Sequence, residues 1–191
     1  MVTKENVMNK AIKRIVQGLS ICLIGLACAA QGADGTIKTK VKFIQFTCNL
    51  TAASKNMNVP LGNVNRSQLA KTGSLSSQVF FELKATDCPT ASRDAAVSVV
   101  FSGSAPATDK KAFILDKDSV ASGVAVKIAA LGYNGSYYDY FMEPNSQFGR
   151  HVYPNSEGEV TMKYAAQYVA LNDHVTSGAA NLTTQIDLNY W

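Results

Sequence analysis

Apolar and polar side chains alternate along much of this chain. Leu182, Thr184, Ile186, Leu188 and Tyr190 interleave with Thr183, Gln185, Asp187 and Asn189. That period belongs to an extended strand with one face on a core and one in water. The same two-residue period sets Ile37, Thr39, Val41 and Phe43 against Lys38, Lys40 and Lys42. Further strands are expected from Val79, Phe81 and Leu83 in "SSQVFFELKATDC", from Val97, Val99 and Phe101 in "AAVSVVFSGSA", and from Val124, Val126 and Ile128 in "GVAVKIAAL". "VTMKYAAQYVAL" completes the set, after the short piece "FILDKDS". "NMNVPLGNV" reads as a short strand broken at Pro60, and a proline that cannot donate to a ladder belongs at a sheet edge. Turns rich in Gly, Asn, Asp and Ser, such as "NDHVTSG", separate these pieces. Several short strands divided by turns predict an all-β sandwich, and without repeats or low-complexity linkers they predict one domain.

Charge changes the picture only at the N-terminus. The 191 residues carry a formal net charge of +4. Residues 1–32 hold Lys4, Lys10, Lys13 and Arg14 against Glu5, which leaves 14 basic and 13 acidic residues in the remainder. No electrostatic footprint for nucleic acid remains there. The run "IVQGLSICLIGLACAA" behind Arg14 is short and interrupted, and small residues follow it. Residues 1–32 therefore read as a secretory signal, with cleavage after Gly32, Ala29 or Ala30; an uncleaved anchor helix is the alternative.

The cysteines fit export. Cys22 and Cys28 leave with the signal, and Cys48 and Cys88 remain. A single pair in an exported chain reads as one disulfide, against the alternative of two buried thiols. The loop of about 40 residues that it would close gives roughly 4 kcal/mol on the chain-entropy model. Two distant cysteines and two isolated histidines, His151 and His174, do not supply metal-ligand spacing. There is no G-x-S-x-G elbow, no phosphate-cradling loop and no EF-hand match in "DKDS" or "SEGE". No catalytic residue, metal or cofactor is nominated, so an enzyme is not expected. The tyrosine-rich "YNGSYYDYF", residues 133–141, offers stacking faces for a sugar, with Tyr137 and Tyr138 at its centre. It supports a second reading, a complete periplasmic or surface β-sandwich that binds glycan.

In combination these pieces resemble the chaperone–usher pilins, the type 1 fimbrial protein family. The resemblance runs over nearly the whole mature length. It rests on Cys48 near the mature start, on "FFELKATDC" leading to Cys88, and on "VSVVFSGSA" with its glycine turn. It rests above all on "YAAQYVALNDHVTSGAANLTTQIDLNYW", with Gly178 fourteenth from the end and Tyr190 penultimate.

The resemblance implies an immunoglobulin-like sandwich lacking its seventh strand, completed by donor-strand exchange. It implies a signal at 1–32, a donor-strand extension at 33–47 and a pilin domain at 48–191. Gly35, Ile37, Thr39, Val41 and Phe43 would form the donor strand, with Lys38, Lys40 and Lys42 left in water. Family extensions place a glycine among the inserting positions; here Val41 stands there, and the nearest glycine is Gly35. Gly178, Leu182, Thr184, Ile186, Leu188 and Tyr190 would form the groove that a chaperone, and then a neighbour, fills. The length of the extension resembles that of minor, adaptor-like subunits. The implied partners are a periplasmic pilus chaperone, an outer-membrane usher and neighbouring pilins, with host glycan met through the assembled pilus. The implied location is a cell-surface fimbrium reached through the periplasm, and the implied role is cell adhesion.

Overall fold

The computed structural model describes residues 47–90, 96–132 and 137–191, without the side chains of residues 137–139. The expected donor strand, Gly35 to Phe43, lies outside the described residues. The described residues fall within one compact unit, Ile44–Trp191.

Among the described residues seven strands form: β1 (Asn49–Leu50), β2 (Val79–Thr86), β3 (Val97–Phe101), β4 (Val124–Leu131), β5 (Tyr137–Phe141), β6 (Val160–Ala170) and β7 (Ile186–Tyr190). Among the described residues, helix is confined to a single turn, α1 (Ala52–Lys55), capped by the Thr51 side chain, and a 3-10 turn at Arg66–Leu69. One sheet has five antiparallel strands in the order β1-β2-β6-β4-β5; the other pairs β3 with β7. An isolated bridge from Val152 to Val97 flanks β3 on the side away from β7.

The two-residue period explains which faces meet. Leu83 and Ala85 of β2, Val97, Val99 and Phe101 of β3, and Val126 and Ile128 of β4 all turn into one core. Tyr164 sits at its centre, stacked on Phe81 with centroids 5.5 Å apart and edge-on to Phe101 at 5.1 Å. Its burial holds the phenol far above its ordinary pKa.

Strand β4 and the second half of β6 lack clean alternation because both of their faces are covered there, whereas Thr161 and Lys163 at the start of β6 stay exposed. Ala112 packs on Ala125 and Val169 on the outer face. Lys127 is only 13% exposed there, paired with Asp109 at 2.8 Å and lying 4.4 Å from the Phe141 ring centroid. Cys48 and Cys88 are joined by a disulfide, their Cα atoms 4.4 Å apart.

Two expectations are corrected. "NMNVPLGNV" forms no regular strand: residues 56–64 run without a ladder, and Val59 and Leu61 are half-buried. The final ladder begins at Ile186 rather than at Leu182, for a reason given below.

Candidate functional site

The predicted face of the last strand exists. Leu182, Thr184, Ile186, Leu188 and Tyr190 are half-buried, while Thr183, Gln185 and Asp187 are exposed. Leu182, Ile186, Leu188 and Tyr190 pack against the main core. The same alternation directs the backbone. Ser102 N–H donates to Gln185 C=O at 2.8 Å, and Trp191 N–H donates to Ala96 C=O at 3.1 Å. In an antiparallel ladder the bonded residues recur every second position. The odd-numbered residues of β7 therefore spend their amides on β3, and Ile186, Leu188 and Tyr190 aim theirs at the opposite edge. Among the described residues, no strand pairs with that edge.

Beside it lies a groove of about 980 Å³. Gly178, Leu182, Thr184 and Ile186 line one wall, and the ladder-free segment with Val59 and Leu61 lines the other. Phe81, Leu83, Val126 and Ile128 reach the groove from the five-stranded sheet. Its interior is thus the sandwich core itself. Leu188 and Tyr190 continue the same face of β7 but are not among the lining residues.

Side chains hold the wall where the ladder stops. Asp116 accepts Thr183 N–H on Oδ1 at 3.0 Å and the Thr183 hydroxyl on Oδ2 at 2.8 Å. Asp116 N–H donates to Asn181 C=O at 2.8 Å. Residues 181–184 therefore stay extended without a regular ladder, which is why β7 starts late.

At the far end, the Tyr168 hydroxyl donates to Ala180 C=O at 2.6 Å, tying β6 to the wall. Partial burial raises that phenol's pKa. Tyr190 is fastened by Cys48 N–H, which donates to its hydroxyl at 2.8 Å and so anchors the end of β7 beside the disulfide. Burial raises the Tyr190 pKa, and the Cys48 amide opposes that rise.

Gly178 meets a close approach. A Cβ there would lie 2.8 Å from Ala121 N and 2.8 Å from Val120 Cβ, and its φ of +153° disfavours a side chain as well. Asp116 and Tyr168 were missed in the sequence, because nothing local marks a carboxylate or a phenol whose partner lies far along the chain.

A family model described as "Fimbrial protein" matches residues 34–191. The chain belongs to the fimbrial protein family. Its fimbrial relatives include long polar fimbria protein A of Salmonella typhimurium strain LT2, 29% identical over 186 residues, covering 96% of this chain and 99% of that protein. The probable major fimbrial subunit LpfA of Escherichia coli O157:H7 is 30% identical over 187 residues, covering 94% and 97%.

Among solved structures, a chaperone–usher pilus subunit superposes with a TM-score of 0.61 at 16% identity, over 84% of this chain and 97% of that one. The P pilus rod subunit PapA gives 0.59 at 18% identity, over 75% and 99%. At such identities the likeness concerns the fold: the incomplete immunoglobulin-like sandwich of chaperone–usher pilins. Among the described residues, no helix is long and apolar enough to cross a membrane, and no group of three His, Cys, Asp or Glu could hold a metal ion.

Proposed function

We propose that this fimbrial protein is a structural subunit of a surface pilus whose groove is completed by a strand from another molecule. The carrying observation is that, among the described residues, no strand pairs with the outer edge of β7, beside a groove that reaches the core. An unpaired edge over an uncovered core invites strand addition, in which main-chain bonds give affinity and alternating side chains give register.

A periplasmic chaperone fills the groove first, an outer-membrane usher receives the subunit, and residues 33–47 of a neighbouring pilin replace the chaperone strand. Ile37, Thr39, Val41 and Phe43 of that segment supply the inward face. The three apolar ones contribute roughly 1.5–3 kcal/mol each when fully buried, before the cost of ordering the segment. Residues 1–32 direct export, and adhesion follows from the assembled fibre. The role is mechanical, and no catalytic step is assigned.

The test appends a copy of residues 33–47 after Trp191 through a short turn, which lays that strand antiparallel on the open edge. The completed chain should be a soluble monomer that melts cooperatively and far above the chain without it. Equal solubility and equal melting of the two chains would refute the reading.

A further inference from the structure

Oxidisable sulfur reaches the surface at one position. Residues 33–191 hold Cys48, Cys88 and three methionines, Met57, Met142 and Met162. The two cysteines are joined as a disulfide, so neither offers a thiol to an oxidant. Met142 and Met162 are 0% and 1% exposed, sealed in the core. Met57 is 38% exposed.

Met57 stands on the wall of the groove. It lies in the ladder-free segment opposite β7, two positions before Val59 and four before Leu61, and all three line the same cavity. The alternation that half-buries Val59 and Leu61 puts Met57 on their side of the segment. A thioether suits such a wall. It is unbranched and polarisable, and adapts to whatever side chain enters.

The same sulfur is a nucleophile. Its lone pair bonds one oxygen of a peroxide and the O–O bond breaks. The proton on the transferred oxygen passes to the other oxygen, which leaves as water. The thioether is oxidised to a sulfoxide and the peroxide is reduced by two electrons. The sulfoxide is polar and chiral, with an oxygen that accepts hydrogen bonds. In an open groove water meets that need. Covering the oxygen with the apolar face of a strand strips that water away, at a cost in free energy.

We propose that Met57 is an oxidation site whose state controls strand addition: a peroxide converts its thioether to the sulfoxide while the groove is empty, and the sulfoxide then weakens binding of the donor strand. The site rests on the strand-completed groove proposed for this subunit. A subunit waiting with an open groove is disabled by the oxidant. One already completed is protected, because the strand covers the sulfur.

The test treats two proteins with hydrogen peroxide, the mature subunit and the chain carrying residues 33–47 after Trp191. Peptide mapping by mass follows each methionine. Met57 should gain one oxygen in the open subunit and do so about tenfold more slowly in the completed chain, while Met142 and Met162 stay unmodified in both. The oxidised subunit should then bind a peptide of residues 33–47 about tenfold more weakly than the untreated one. Met57→Leu, of similar volume, should keep its affinity through the same treatment. Equal oxidation of Met57 in the two chains, or equal peptide affinity before and after treatment, overturns the proposal, and the groove reading stands as long as the completed chain melts higher. A Met57→Leu subunit that weakens as much as its parent places the damage elsewhere and overturns it too. Equal melting of the two untreated chains removes the groove reading itself, and the role of Met57 with it.

Discussion

Asp116→Ala removes the support of the groove wall without touching its apolar lining. The Asp116 carboxylate receives two bonds from Thr183, at 3.0 and 2.8 Å, across 67 positions of sequence. Bonds to a charged acceptor are worth roughly 1.5–3 kcal/mol each when desolvated. Thr183 is exposed and water can replace part of this, so the loss should be about 1–3 kcal/mol for the pair. Asp116→Asn keeps an acceptor for the Thr183 amide but no charge, and should lose about half as much.

The assay is urea unfolding of the strand-completed subunit. With m near 1–3 kcal/mol/M, the alanine variant should shift the midpoint down by about 1 M at unchanged m. Its Thr183 amide should exchange faster. A change below about 0.5 kcal/mol, inside the range of ordinary surface substitutions, would refute the reasoning. The backbone pairing of Asp116 with Asn181 would then be holding the wall alone.

Other outcomes follow from single contacts. Replacing Cys48 and Cys88 together by alanine should lower stability by about 4 kcal/mol, from the sequence separation of 40, read as the difference between unfolding free energies. Gly178→Ala should cost about 1–3 kcal/mol by forcing a Cβ against Ala121 and Val120, again by urea midpoint; a neutral result would mean that the wall yields freely. The Asp173 carboxyl is held below its ordinary pKa by the Thr72 hydroxyl and then by the Thr72 amide. Its folded pKa lies below the unfolded one, so this stabilisation is present above the ordinary carboxylate value and is lost as pH falls through the lowered one. Thr72→Val should shrink that acid-dependent loss in unfolding curves taken at neutral and acid pH.

The strands were legible where one face is wet. β2 alternates in the structure as in the sequence, with Phe80, Glu82 and Lys84 exposed, and the cysteine pair needed only chemistry and compartment. β4 was legible from the alternation of Val124, Val126 and Ile128 and β6 from "VTMKYAAQYVAL", but Gln167 and Ala125 gave no sign that the loop bearing Ala112 would cover their outer face. Residues 56–64 misled because Val59 and Leu61 alternate with exposed neighbours although, among the described residues, no ladder forms there.

The inward face of the last strand, Leu182 to Tyr190, was legible from period; that it borders a groove was implied by the resemblance, and only Leu182, Thr184 and Ile186 of it line the groove. Its fastenings, Asp116 to Thr183, Tyr168 to Ala180 and Cys48 to Tyr190, depend on distant residues that meet only in the fold. The ring contacts of Trp191 with Phe148 and His151 escape the sequence for the same reason. Of the tyrosine-rich run at 133–141, the Tyr140 hydroxyl bonds the Phe148 carbonyl, and Phe141 lies beside Lys127.

Residue-resolved hydrogen exchange along β7 tests most directly whether another molecule completes the sandwich. In the subunit without a donor, the amides of Asp187 and Asn189 should be protected by β3, while those of Ile186, Leu188 and Tyr190 exchange freely. In assembled pili all five should be protected. Ile186, Leu188 and Tyr190 amides already slow in the lone subunit, or still fast in the fibre, would contradict the account.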